Sequence, residues 1–195
     1  MNAYLLLTKT DEATDAALSE LTRFSVRTAG CFAAYAAVSF NTIEELRDVT
    51  EKLGAVSPGR IEVLVAVQAS AETTETRSLI GVPPRCIDPE TGQVDWSCLG
   101  SPEPSLGPKA SYFAVAELQV EHGGRDAVHE RLAASGGVTA VTRLSDPDRL
   151  LVELGATDRD LLMSAVEGMA SLPGVEQVRT GLAVRPLELA SVESA

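Results

Sequence analysis

Apolar residues along this chain form short strand-like runs and helical stripes, in an order that occurs twice. Ala3 to Thr8 carries Tyr4 and three consecutive leucines bounded by charge, which predicts a strand. Thr10 or Asp11 then caps a helix running to about Arg27. Its apolar positions Ala13, Ala17, Leu18, Leu21 and Phe24 share one face. Ser25 to Thr28 offers a short strand before the Ala29-Gly30 turn, and Phe32 to Phe40 reads as a strand buried on one or both faces. Asn41 or Thr42 caps a second helix, with Glu44 and Glu45 in its first turn, where the helix dipole favours acid. Leu46, Val49, Leu53 and Val56 form its inner stripe. Ser57-Pro58-Gly59 stops it, and Ile61 to Val67 is the last strand of this half.

The second half runs in the same order. Ser111 to Val120 is a strand, and Arg125 to Ser135 a helix with Ala127, Val128, Leu132 and Ala133 inward, ended by Gly136-Gly137. Two apolar runs, Val138 to Val141 and Leu150 to Leu154, flank the turn Leu144-Ser145-Asp146-Pro147-Asp148. Thr157 or Asp158 caps a helix carrying Leu161, Leu162, Ala165, Val166 and Met169. Leu172-Pro173-Gly174 ends it, and a final strand closes at Gly181 to Val184. The helix stops Val56-Ser57-Pro58-Gly59 and Leu172-Pro173-Gly174 match, as do the closing runs Leu64 to Val67 and Gly181 to Val184. We read a tandem repeat of one unit.

Each repeat has the order βαββαβ, which folds as a four-stranded antiparallel sheet with both helices on one face. The other sheet face is apolar too, and leaving it in water costs about 25 cal/mol per Å². Two such units in one chain can cover each other as a pseudo-two-fold, barrel-like sandwich, or the units can pair between chains. The expected fold class is therefore α+β, with two tandem ferredoxin-like units packed like a dimeric α+β barrel. The expected domains are 1–69, a connector at 70–110, 111–187 and a tail at 188–195. The connector is rich in Pro, Gly and Ser, and Ile87 to Trp96 reads as a small hairpin within it.

Charge narrows the function. The net charge is −12, with no cluster of Lys and Arg to displace counterions from nucleic acid or meet an anionic membrane, so neither is an expected partner. The N-terminal apolar run is too short for a secretion signal, and the expected location is cytoplasmic. Cys31, Cys86 and Cys98 are at no zinc-like spacing and read as ordinary thiols. His122 and His129, with Asp126 and Glu130, could seat a metal by spacing, although a solvated helix face explains them more simply. No nucleophile elbow, P-loop or dinucleotide fingerprint occurs, so no catalytic residue, metal or cofactor is assigned.

Gly137-Val138, the Ser145-Asp146-Pro147-Asp148 turn and Pro173-Gly174-Val175 stand where the effector-binding domain of Lrp/AsnC-type regulators has its signature glycines and turn. The second half resembles that domain. It departs from the family in having Ser145 for the turn glycine, in the added Pro147, and in showing no helix-turn-helix before Tyr4. The resemblance implies a ligand-sensing module that binds small polar effectors, often amino acids, at subunit contacts. Carried over by position, the candidate effector-binding residues are Ser145, Asp146, Asp148, Thr157 and Asp158. Ordinary turn and capping chemistry accounts for the same residues. The implied partners are a small-molecule effector and either a second copy or another protein. The alternatives are an enzyme or accessory subunit of the α+β barrel type, and a tandem ACT-like allosteric module with Glu121-His122-Gly123-Gly124 as its turn. A haem enzyme of the barrel type would need a histidine facing the barrel.

Overall fold

The computed structural model describes residues 1–67, 112–135, 137–156 and 158–184. Thr157, the hairpin at Ile87 to Trp96, Cys86, Cys98 and the tail lie outside the described residues. The first half contains β1 (Asn2–Leu7), α1 (Glu12–Leu21), β2 (Phe24–Gly30), β3 (Ala34–Ser39), α2 (Ile43–Val56) and β4 (Ile61–Val65). The second contains β5 (Tyr112–Val120), α3 (Arg125–Ala133), β6 (Val138–Arg143), β7 (Arg149–Ala156), α4 (Arg159–Ala170) and β8 (Val175–Ala183). The chain is thus two βαββαβ units, as its apolar pattern predicts.

Three of the four helices begin on a side-chain cap. Asp11 accepts from the Thr14 N–H, Thr42 from Glu45, and Asp158 from Asp160 and Leu161. Glu45 also reaches back to the Asn41 N–H at 2.8 Å, a capping-box arrangement. Helix α3 begins at Gly124 with no side-chain cap.

Helix α1 is shorter than its apolar stripe predicts. It stops at Leu21, not near Arg27, because Thr22 turns extended and its hydroxyl bonds back to the Leu18 carbonyl at 2.5 Å. The Arg23 N–H then joins the sheet through the Ala37 carbonyl, and Phe24 becomes a strand residue. Three predicted inward positions also face out: Val56 is 40% exposed, and Ala127 and Ala133 of α3 are exposed as well; on α4, Leu161 is 62% exposed. Leu53 and Leu162 bury α2 and α4 instead.

All strand pairings are antiparallel, in the order β4-β1-β3-β2-β8-β5-β7-β6. Each half contributes its last, first, third and second strands in that sequence, so the two halves meet through two equivalent seams. At one, Thr28 to Gly30 of β2 pair with Gly181 to Ala183 of β8. At the other, Ala66 bridges Leu144, with the Val67 N–H on the Arg143 carbonyl at 2.9 Å and the Ser145 N–H on the Val65 carbonyl at 2.8 Å. Together the seams close the sheet into a barrel. The first seam depends on small residues: the Phe32 ring occupies the space a side chain on Gly181 would need.

Strand alternation sorts the core into three layers. Leu5, Leu7, Ala36 and Val38 pack under α1 and α2 with Leu18 and Leu53. Ala116, Leu118, Val152 and Leu154 pack under α3 and α4 with Leu132 and Met169. The opposite residues, among them Tyr4, Leu6, Tyr35, Phe113, Val115 and Leu151, form a third cluster between the two sheets. Each sheet therefore covers the apolar face of the other. Among the described residues no helix is long and apolar enough to cross a membrane.

Candidate functional site

Polar chemistry sits at three places on this frame: two inside the barrel and one on its rim. The first interior site is Glu153, which follows Leu151 on the inward face of β7 and is 3% exposed. The Tyr35 hydroxyl, from β3 of the other half, donates a hydrogen bond to Glu153 Oε1. Glu153 Oε2 accepts no hydrogen bond from any described residue. Aromatic rings surround the pair. Tyr4 stacks on Tyr35 with centroids 5.9 Å apart, and Phe24 and Phe113 each lie 6.3 Å from the same ring. Burial pushes the Glu153 carboxyl up to about 7, against the opposing effect of the Tyr35 hydrogen bond. Burial also raises Tyr35 and Tyr4 above the usual tyrosine range, with the nearby Glu153 charge adding to it. The Tyr4 hydroxyl lies 3.4 Å from Thr142 Oγ1.

The second interior site is an ion-pair ring. Arg149 donates from Nε to Glu117 at 2.6 Å and from Nη2 to Glu62 at 2.6 Å. Arg179 donates to Glu62 at 2.9 Å, and its Nη1 also lies 3.0 Å from Glu117 Oε2 without the direction of a hydrogen bond. Burial works against the Glu62 charge, yet hydrogen bonds from Arg149 and Arg179 hold it below the usual carboxylate range. The ring joins β4 of the first half to β5, β7 and β8 of the second.

The third site is the β6–β7 turn. Asp146 accepts the Asp148 N–H at 3.0 Å and, through its carbonyl, the Arg149 N–H at 3.3 Å. Both Asp148 oxygens lie 3.2 Å from His122 Nδ1. Arg125 Nη1 donates to the Leu144 and Asp146 carbonyls at 3.2 and 3.4 Å. His122, Gly123, Arg125, Asp126, Pro147 and Asp148 line an open recess between this turn and the uncapped start of α3.

Of the predicted effector residues, Ser145, Asp146 and Asp148 share the turn. The Ser145 N–H is used to close the barrel, and Asp148 lines the recess. Asp158 caps α4 beyond the far end of β7, about 25 Å away at the usual strand rise. One copy of the chain does not bring these two groups together. His129 is on α3, and among the described residues no group of three or more His, Cys, Asp or Glu gathers as a metal site. The interior residues Tyr35, Glu153, Glu117, Arg149 and Arg179 went unnoticed in the sequence. Their signal was a glutamate at an inward position of two otherwise apolar runs, Phe113 to Leu118 and Leu150 to Leu154.

No protein-family model matches the chain, and no curated protein matches it in sequence. Solved structures do resemble it. Siroheme decarboxylase NirDL, in co-complex with an iron-uroporphyrin III analogue, aligns with a TM-score of 0.57 at 11% identity, covering 95% of this chain and 71% of that one. A second structure of the same enzyme aligns equally well, with a TM-score of 0.57 at 10% identity. A transcriptional regulatory protein of the AsnC family from Pyrococcus furiosus aligns over 42% of this chain and 56% of its own, with a TM-score of 0.36 at 18% identity. At these identities the likeness to the decarboxylase is one of fold.

Proposed function

We propose that this chain is a non-enzymatic regulatory module that binds a small zwitterion, an amino acid in the first instance, at the β6–β7 turn. It acts through a second copy or a protein partner. The recess between that turn and α3 carries the proposal, because it sets opposite charges side by side. An amino acid's carboxylate fits the free N–H groups at the start of α3 and the remaining donors of Arg125. Its ammonium fits Asp148. The filled space between the sheets supports a role at the rim over one in the interior. In an assembly of two copies, Asp158 of the second copy completes the site beside Ser145, Asp146 and Asp148 of the first. Thermal denaturation with each amino acid, alongside sedimentation velocity, tests this. At least one amino acid should raise the melting temperature, and Asp148→Asn should remove the shift. A strict monomer that no amino acid stabilises would sink the proposal.

The buried Tyr35–Glu153 pair favours a second reading, an enzyme of the α+β barrel type like the siroheme decarboxylase in fold. A carboxyl titrating near neutral pH suits proton transfer. Both histidines of the chain lie in the outer helical layer, at or beside α3, so an iron centre in the barrel would receive no imidazole from this chain. Absorbance titration with iron-uroporphyrin III separates the readings. Binding that Glu153→Gln abolishes favours the enzyme.

A further inference from the structure

We propose that β6 is a pH-sensitive latch on the barrel: ionisation of Glu153 releases it from β4, and protonation closes it again. The starting point is an oxygen that cannot be solvated in place. Glu153 Oε2 is buried and accepts no hydrogen bond from a described residue, whereas buried polar atoms are nearly always paired. A neutral carboxyl tolerates such a place far better than a carboxylate, which needs donors or countercharge. Neither is supplied by the elements around it. Tyr35 of β3 already donates to the other oxygen, with Tyr4 of β1 stacked beyond it. The register partners, Val115 of β5 and Ala140 of β6, are apolar. The charged groups of the neighbouring strands are engaged elsewhere: Glu117, Arg149, Arg179 and Glu62 with one another, and Arg143 of β6 with Asp126 of α3 at 3.2 Å. His129 of α3 lies against the Val141 backbone on that same outer side of β6.

The rings of Tyr4, Phe24, Tyr35 and Phe113 pack against one another at centroid separations of 5.9 to 6.3 Å, so a carboxylate reaches water only if a strand moves. β6 is the strand least held in place. Its ladder with β7 is interrupted at Thr139, the extra residue of a bulge directly beside the Ala140–Glu153 pair. The Thr139 hydroxyl is itself buried without a partner. All six residues of β6 are only partly buried, and few buried contacts mean a low cost of local opening. Among the described residues, β6 meets β4 through the Ala66–Leu144 bridge and its two hydrogen bonds. The opposite seam, between β2 and β8, has three residue pairs, flanked by the Cys31 N–H on the Thr180 carbonyl at 2.8 Å and the Val184 N–H on the Arg27 carbonyl at 3.0 Å. Opening at β6 also reaches the rim, because Arg125 holds the Leu144 carbonyl at 3.2 Å. Regulation of the recess in this way rests on the zwitterion reading, whereas the opening itself does not.

Amide hydrogen exchange of the whole chain at pH 5.5 and 8, corrected for intrinsic exchange rates, tests the latch without any ligand. Local opening moves Glu153 from a site where it titrates at about 7 into water, where its ordinary value is 4.5. The open population should therefore rise roughly 25-fold between the two pH values. Protection of the Val67 and Ser145 amides, which close the β4–β6 seam, should fall by that factor. At pH 8 both should exchange at least about tenfold faster than the amides of β5, which is paired on both sides and reports global unfolding. Glu153→Gln should remove the pH dependence at Val67 and Ser145. The comparison across pH needs no variant, so it decides even if Glu153→Gln folds poorly. Equal protection of the seam at both pH values overturns the proposal, as does a full pH effect in folded Glu153→Gln. Seam amides as well protected as β5 at pH 8 also overturn it, by making the event global unfolding. None of these outcomes depends on whether an amino acid binds at the turn, which the melting-temperature screen decides separately.

Discussion

Glu117 and Glu153 occupy neighbouring strands, point between the same two sheets and are each 3% exposed, yet they are stabilised in opposite ways. Glu117 lies against two guanidinium groups, Arg149 at 2.6 Å and Arg179 at 3.0 Å. Glu153 has a phenol on one oxygen and aromatic rings around it. A buried carboxylate costs several kcal/mol unless charge or a proton compensates it. Countercharge compensates Glu117, whereas burial raises Glu153 to about 7, so that it keeps its proton in acidic solution and loses it above neutrality. Both devices cross the joint between the halves, through Glu62 in one case and Tyr35 in the other. They tie the duplicated units into one barrel with different sensitivities to pH and salt.

The largest expected effect comes from breaking the paired end. Arg149→Ala removes a partner of both Glu62 and Glu117 and leaves the latter buried with Arg179 alone. We expect a loss of about 4 kcal/mol in urea unfolding, within the range for opening a buried ion pair. A loss under about 1 kcal/mol would mean that the ring behaves as a surface pair, and the contrast with Glu153 would fail.

The next effect belongs to the unpaired end. Glu153 titrates at about 7 in the folded chain, against an ordinary value of 4.5. The folded state therefore binds the extra proton between those values, and stability falls as pH rises through them. The contribution is fully present below pH 4.5 and gone above about 7, amounting to about 3 kcal/mol at 1.36 kcal/mol per unit. Urea unfolding from pH 4 to 8 should show that fall, and Glu153→Gln should flatten it. A profile that keeps its full slope in the variant would place the proton elsewhere.

The outline of this barrel was legible in the sequence because it rests on local signals. Helix caps at Asp11, Thr42 and Asp158, and alternating apolar runs in β1, β5 and β7, give the βαββαβ order directly. Helix α1 was overextended because Phe24 keeps the helical spacing while sheet pairing at Arg23 overrides it. The turn at Ser145 to Asp148 could be singled out, since Pro and Asp punctuate it. Its place in a recess with Arg125 depends on how α3 meets β6, a tertiary fact. The interior pairs were invisible for the same reason. Tyr35 and Glu153 are 118 residues apart, and nothing near either one in the chain names the other.

The smallest effect tests that long-range pair directly. Tyr35→Phe keeps the ring, and with it the stack on Tyr4, but removes the donor to Glu153 Oε1. A single buried hydrogen bond is worth about 1 kcal/mol, which is the expected loss at pH 4. The hydroxyl also holds the Glu153 carboxyl lower than burial alone would. Removing it should therefore move the midpoint of the pH-dependent fall above 7, enlarging the drop measured between pH 4 and 9. Two effects of opposite origin are thus expected from one oxygen atom: less stability where Glu153 is protonated, and a titration displaced upward. A midpoint that stays in place would show that the phenol packs beside the carboxyl without bonding to it. Desolvation alone would then set the state of Glu153, and its contrast with Glu117 would be one of neighbours' charge and nothing else.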